Sequence, residues 1–192
     1  PHNRLFSRMP LRRLDAESLR DALLFVSGRL DPTPGGIPDA VRVARDGLVE
    51  VEPGADGRWR RSLYAQFRRT EIPTMLATFD YPPMGPNCLS RTVSTVSAQP
   101  LLLSNDALVR RLADGFAERV DKAVADRGGG SRADHVDIAF RLALARDPLP
   151  EERAAAVAAL VDLEAAWSGD GREPLASLCH TIFNSGAFLH VD

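Results

Sequence analysis

Five arginines, Arg58, Arg60, Arg61, Arg68 and Arg69, fall within residues 58–69, and no carboxylate lies among them. Trp59 and Tyr64 are interleaved with them. Guanidinium groups beside aromatic rings can hold a carboxylate, sulfate or phosphate, because the planar fork matches the paired oxygens of those anions. Arg58, Arg60, Arg61, Tyr64 and Arg68 are therefore candidate anion-binding residues. The alternative is a solvated strand face whose arginines pair with acids of the C-terminal half. No glycine-rich phosphate loop accompanies the stretch.

A second set of polar residues lies in and just after a long irregular stretch: Asp80, Arg91, Thr92, Thr95, Gln99 and Asn105. Connections of this length are uncommon in compact domains and often carry function. Asp80, Arg91, Thr95, Gln99 and Asn105 are candidate ligand-binding residues of that loop. Equally, they can cap turns and satisfy buried backbone.

Other pairings fail on spacing. Cys179-His180 lacks the second cysteine of a haem attachment motif, since Ala176 stands three residues earlier. A Cys–His dyad also needs facing side chains, whereas neighbouring helical positions diverge by about 100°. Cys179 is expected in the core. His2, His135, His180 and His190 show no zinc spacing, so no metal is expected. The run 128–130 is all glycine but follows no strand, and no Gly-x-Ser-x-Gly occurs. Asp134 and Asp137 share a helix face and read as solvated surface.

These residues need elements to position them. Asp15 reads as an N-cap, and Leu19, Ala22, Leu23 and Val26 form an apolar stripe that Gly28 ends. Residues 31–57 are dense in Pro and Gly, leaving room for at most a short strand at 41–43 or 48–51. Residues 58–69 alternate, with Trp59, Leu63, Ala65 and Phe67 on one face, which predicts a half-buried strand. Pro73 could open a short helix carrying Met75, Leu76 and Phe79. After irregular residues 81–97 the chain reads as helical. Helices are expected over 106–125, 132–145, about 150–167 and 174–184, with Leu108, Leu112, Phe116, Val120 and Val124 marking the first stripe. Short joints suit a bundle of antiparallel helices. The expectation is a mainly α fold: an N-terminal helix and small β element (1–96) packed on a C-terminal antiparallel helical bundle (97–192), as a single domain.

The composition of the 192 residues, 44% hydrophobic and 26% charged, is that of a globular chain rather than a disordered one. Lys and Arg number 24 against 26 acids, and this near-neutrality argues against a dedicated nucleic-acid binder. The balance is uneven along the chain. Residues 1–96 hold 14 arginines and 11 acids (+3), and residues 97–192 hold 10 basic residues and 15 acids (−5). An anionic ligand, or the domain's own acidic helices, therefore suits the arginine cluster. No apolar run reaches the roughly 18–20 residues of a membrane helix, and the run 23–26 is too short for a signal-peptide core. The chain opens on Pro1 without an initiator Met and is expected to be a piece of something longer. Two cysteines, Cys88 and Cys179, make one bridge or none.

The sequence resembles a known family over essentially its whole length. The matching segments are Pro1-His2-Asn3-Arg4-Leu5-Phe6, Arg12-Arg13-Leu14-Asp15-Ala16-Glu17-Ser18-Leu19-Arg20 and Val26-Ser27-Gly28-Arg29-Leu30-Asp31. They continue with Phe79-Asp80-Tyr81-Pro82, Arg91-Thr92-Val93-Ser94-Thr95-Val96, Ala139-Phe140-Arg141-Leu142-Ala143 and Phe183-Asn184-Ser185-Gly186-Ala187-Phe188. The resemblance is to the planctomycete domain of unknown function 1553, found C-terminal in large proteins with cytochrome-c-like segments. Departures are Ser97 where that family commonly has Pro, Pro100 where it has a small residue, and Ala187 and His190 where it has Glu and Tyr.

The resemblance implies a periplasmic or otherwise exported setting and a haem-bearing partner domain elsewhere in the parent chain. It transfers no catalytic residue. The expected function is a non-catalytic binding or interaction module, with no cofactor in this domain. Its expected partners are other domains of the parent chain or a polysaccharide, with no nucleic acid and no membrane span. The rival is a carbohydrate-active enzyme whose pocket is lined by the 80–105 loop.

Overall fold

The computed structural model describes residues 9, 11–82, 90–167 and 173–191. The fold is mainly α with a small β element. In chain order it runs β1 (Arg12–Arg13), α1 (Ala16–Val26), β2 (Leu30–Asp31), β3 (Val41–Val43), β4 (Val49–Val51) and β5 (Trp59–Arg60). A 3-10 turn (Ser62–Tyr64), α2 (Thr74–Thr78) and α3 (Ala98–Asn105) follow. The C-terminal half is α4 (Ala107–Ala125), α5 (Arg132–Leu144), α6 (Pro150–Ala166), α7 (Pro174–Phe183), α8 (Gly186–Leu189) and β6 (His190–Val191).

α1 forms where its stripe demands, burying Ala16, Leu19, Leu23, Leu24 and Val26. It stops at Gly28, whose φ of +72° suits a residue without Cβ. The Gly28 and Arg29 amides donate back to the Phe25 and Leu24 carbonyls at 3.1 and 2.9 Å, satisfying acceptors the helix end would leave open. This end lies against α4 at Gly115, where a Cβ would stand 2.9 Å from Arg29 Nε and 3.1 Å from the Ser27 carbonyl. Only glycine lets the two helices approach there without displacing that backbone.

Caps set the other helices. Asp106 accepts from the Leu108 and Val109 amides at 2.7 and 3.1 Å to start α4. Ser131 and Asp134 form a reciprocal capping box on α5, so Asp134 is a structural cap rather than plain solvated surface. Pro150 opens α6 in the first turn, where its missing N–H costs nothing. α7 packs against α4, α5 and α6. The core centres on Phe116, stacked on Phe183 at 5.3 Å, with Phe188 at 5.1 Å from Phe183. One continuous cluster of buried apolar side chains joins this bundle to α1, α2, Trp59 and Val41.

The β element is three two-stranded pieces. β3 and β4 form an antiparallel hairpin, so both stretches considered for a single strand are strands. β2 pairs in parallel with β5, and β1 pairs with β6, Arg12 opposite Val191.

Residues 58–69 do not form the strand their alternation predicts. Two residues pair as β5, and the chain then turns through Ser62–Tyr64. The cause is Asp21 on α1, whose carboxylate accepts from the Ser62 amide at 2.6 Å and hydroxyl at 2.7 Å and draws the backbone off the strand direction. Trp59 and Ala65 are buried as expected, but Leu63 is 74% exposed. Residues 98–105 are a helix rather than the end of the loop. Pro100 stands in its first turn, where a proline is tolerated, and its Leu101-Leu102-Leu103 run lacks the periodicity that would announce it.

Candidate functional site

The arginines of residues 58–69 are turned inward to the chain's own acceptors. Arg60 holds Asp39 through Nε at 2.8 Å and Nη2 at 2.7 Å, with both side chains largely buried. It also donates to the Gly35 and Ile37 carbonyls, and its guanidinium lies 5.0 Å over the Tyr64 ring. Arg58 donates to the Leu30 carbonyl. Arg61 pairs with Asp21 at 3.1 Å and Arg68 with Glu71 at 2.8 Å, and these two keep 60% and 52% of their side-chain exposure. The arginines do pair with acids, but with acids of their own half. The five candidates do not converge on one vacant anion site.

Beneath them Arg20 of α1 is 2% exposed. It donates to the Arg60 carbonyl at 3.1 Å and to Ser62 Oγ at 3.2 Å. Burial lowers its pKa to about 10, against the pull of Asp21 and Asp39, so it remains a cation at neutral pH. No sequence signal marks it, because it shares a helix face with leucines.

The second candidate set comes partly together. Asp80 sits just past α2 in the left-handed region, φ +64°, which Asp tolerates better than most residues. Its carboxylate accepts from Arg13 at 2.7 Å, from the Ser94 amide at 2.8 Å and from the Ser94 hydroxyl at 2.7 Å. Burial opposes its charge, but Ser94 and Arg13 outweigh burial and hold the carboxyl below its ordinary value. Buried Gln99 joins from α3, donating to the Thr78 carbonyl at 3.1 Å. Arg13 also donates to the Ser94 and Phe79 carbonyls at 2.8 and 3.1 Å. Arg13 and Ser94 are thus the partners the sequence did not single out.

Arg91, Thr95 and Asn105 stay outside this cluster. Arg91 grips Glu17 with two bonds of 2.7 Å, lowering the Glu17 pKa against its partial burial. Thr95 is exposed, and Asn105 donates to the Leu101 carbonyl of its own helix at 2.8 Å. None of the hollows described below is lined by Asp80, Arg91, Thr95 or Gln99. A carboxylate held by Arg13 and Ser94, with its pKa drawn down by them, serves as a latch between β1, α2 and the loop.

The large open hollow lies elsewhere, between α4 and α7, with a volume of about 880 Å³. Asp114, Glu118 and Asp121 line its α4 wall at i, i+4 and i+7 of one face. Glu173, Leu175, Ala176 and His180 line the α7 wall, and Trp167 stands at the end of α6. Glu118 pairs with Arg29 at 2.8 Å and Asp121 with His135 at 3.2 Å. A second hollow of about 570 Å³ adjoins it, sharing Asp121, Glu173 and Leu175. The acid spacing on α4 was legible in the sequence; the facing wall was not.

Cys179 is fully buried, and burial, with Asp121 adding to it, pushes its thiol well above the ordinary value. His180 faces the Leu103 carbonyl at 2.8 Å through Nε2. Cys88 and His2 lie outside the described residues. Among the described residues no group of three His, Cys, Asp or Glu is arranged to hold a metal, and no helix is long and apolar enough to cross a membrane.

Neither the curated proteins nor the solved structures give a significant match to the chain. A family model described as "Protein of unknown function (DUF1553)" matches residues 1–160, which span β1 through most of α6. With β1 to β5 and α1 to α5 inside that match, the chain belongs to the family of domain of unknown function 1553.

Proposed function

We propose that this chain is a non-catalytic interaction module of a larger, exported, haem-associated protein, and that it docks against other domains of its parent chain. The observation that carries this reading is the fate of the polar residues best suited to chemistry. Arg58, Arg60, Arg68, Asp80, Arg91 and Gln99 each satisfy an acid or a backbone group of the same chain. What remains open is a trough on the bundle between α4 and α7. In this reading the domain carries no cofactor of its own, and the haem belongs to the partner. A carbohydrate-active site at 80–105 has less support, since Arg91 is held on Glu17 and Asp80 is bonded to Arg13 and Ser94.

The test is titration of the purified chain against the remaining segments of the parent protein, alongside neutral and sulfated glycans. Micromolar association with a parental domain and no glycan turnover is the expected result. Turnover of a glycan that Asp80→Asn abolishes would overturn it. Sulfated-glycan binding lost in Arg61→Ala and Arg68→Ala would move the site to that arginine-rich face.

A further inference from the structure

We infer that the loop at 35–37 and the turn at 61–64 together form a docking face for an acidic segment bearing apolar side chains, presented by another domain of the parent chain; this rests on the interaction-module reading above. Arg60 sets the two loops side by side, since it donates to the Gly35 and Ile37 carbonyls and lies over the Tyr64 ring. The backbone fixes their register: the Asp39 amide donates to the Tyr64 carbonyl, and the Asp39 carbonyl accepts from the Gln66 amide, both at 2.8 Å. Ile37 and Leu63 each stand two places before a partner of the resulting parallel bridge, Asp39 or Ala65. They are the two most exposed large apolar residues among those described, at 88% and 74%.

Single exposed apolar residues are ordinary on a protein surface. What sets this pair apart is the polar framework under it. Arg20, Asp21, Asp39 and Arg60 are all largely buried there. Asp21 accepts from the Ser62 amide and hydroxyl, and Arg20 donates to the Arg60 carbonyl and to Ser62 Oγ. Arg20 Nη2 has no hydrogen-bond partner among the described residues, so a buried donor is kept uncompensated. Buried charges add little to stability, because desolvation offsets their attraction. Arranged in this way they fix both loops before a partner arrives, which lowers the ordering cost of binding.

Arg61 supplies the chemistry of the partner. Its Nε is held by Asp21 at 3.1 Å, while Nη1 and Nη2 carry no further bond among the described residues and the side chain is exposed. A guanidinium oriented at one edge and open at the other takes a carboxylate through paired bonds. Four arginines around the loops, Arg20, Arg58, Arg60 and Arg61, outnumber the acids Asp21, Asp31 and Asp39, which leaves the face positive. Half-buried Tyr64 completes it, and tyrosine and arginine are the residue types that dominate interface energetics. The occupant that fits is a segment whose apolar side chains cover Ile37 and Leu63 while a carboxylate reaches Arg61.

The experiment uses a short alternating leucine–glutamate peptide as probe, titrated calorimetrically into the chain at low salt, with a leucine–lysine peptide as its counterpart. Binding of the glutamate peptide is expected, weakening as salt rises. Leu63→Asp and Arg61→Ala should each reduce it about tenfold, one by placing a charge in the apolar pair and the other by removing the open fork. Val161→Asp, at an exposed apolar position of α6, should leave it unchanged, with circular dichroism confirming that all three variants are folded. Absence of binding, equal losses in Leu63→Asp and Val161→Asp, or equal binding of the lysine peptide would overturn the assignment. If a parental domain binds wild type and Leu63→Asp alike, the face is wrong and the interaction reading stands. If the glutamate peptide binds through Leu63 and Arg61 while no parental domain does, the face stands and the interaction reading fails.

Discussion

The two halves of this molecule are held together by different uses of the same residue. In residues 9–82 four arginines are interior fasteners, while Arg42, Arg61 and Arg68 pair with acids at the surface. Arg13, Arg20, Arg58 and Arg60 donate to the carbonyls of Phe79, Arg60, Leu30, Gly35 and Ile37. In the helical half arginine is more often a surface clip between side chains, as in Arg132–Glu164, Arg146–Glu152 and Arg153–Asp137, while Arg119 closes the Phe25 and Val26 carbonyls at the end of α1. The reason is backbone accounting. Helices satisfy their own carbonyls, whereas two-residue strands and loops leave theirs open, and a buried open carbonyl is costly. A guanidinium with five donors in a fixed fork can close several at once, which an ammonium on a flexible stem cannot. Only one of the 24 basic residues is lysine, Lys122, and it lies in α4.

The comparison predicts different responses to mutation. Removing an apolar anchor of the bundle should do most harm: Phe116→Ala should cost about 3–5 kcal/mol in denaturant unfolding, and a smaller loss would mean that the bundle is not the stabilising half. Arg60→Lys keeps the charge but loses the fork. It should cost about 1–3 kcal/mol, with hydrogen exchange rising over 35–39 and around 60 while α4 to α7 stay protected. Uniform loosening would break the distinction between the halves. Asp106→Ala should cost about 1 kcal/mol by removing the cap of α4, seen as a modest fall in Tm.

The smallest effect is one of pH. The Arg146 guanidinium, helped by the Leu149 amide and opposed by burial, brings Glu152 down to about 2 from 4.5. A depressed carboxyl pKa contributes stability above its unfolded value and loses it as pH falls toward the folded one. The α5–α6 joint should therefore weaken between about pH 4.5 and 2, and Glu152→Gln should flatten that part of the acid-unfolding curve. An unchanged curve would show that this clip is unimportant.

Periodicity made the long elements legible. The stripe Leu108, Leu112, Phe116, Val120, Val124 placed α4 within one residue, because a helix satisfies its own backbone and needs a partner only for one face. Gly28 likewise marked the end of α1. Residues 58–69 misled for the opposite reason: their alternation was real, but an acid more than thirty positions away, Asp21, decided the backbone at Ser62. α3 was hidden by its uniform apolarity, and the single Leu101-Leu102-Leu103 run could not say which face would be buried.

The candidate site was legible only in part, on the same physical grounds. Asp80 and Gln99 lie in one sequence segment and both bond Ser94, but the segment could not supply Arg13 from β1, and that arginine turns a candidate catalytic carboxylate into a latch. By itself the sequence determined the helical class, the Gly28 end of α1 and the arginine-rich composition, all of which depend on neighbours within a few residues. The tertiary structure alone decided which arginines are spent on carbonyls and where a trough stays open. Those outcomes depend on which distant donors and acceptors reach each other before water does.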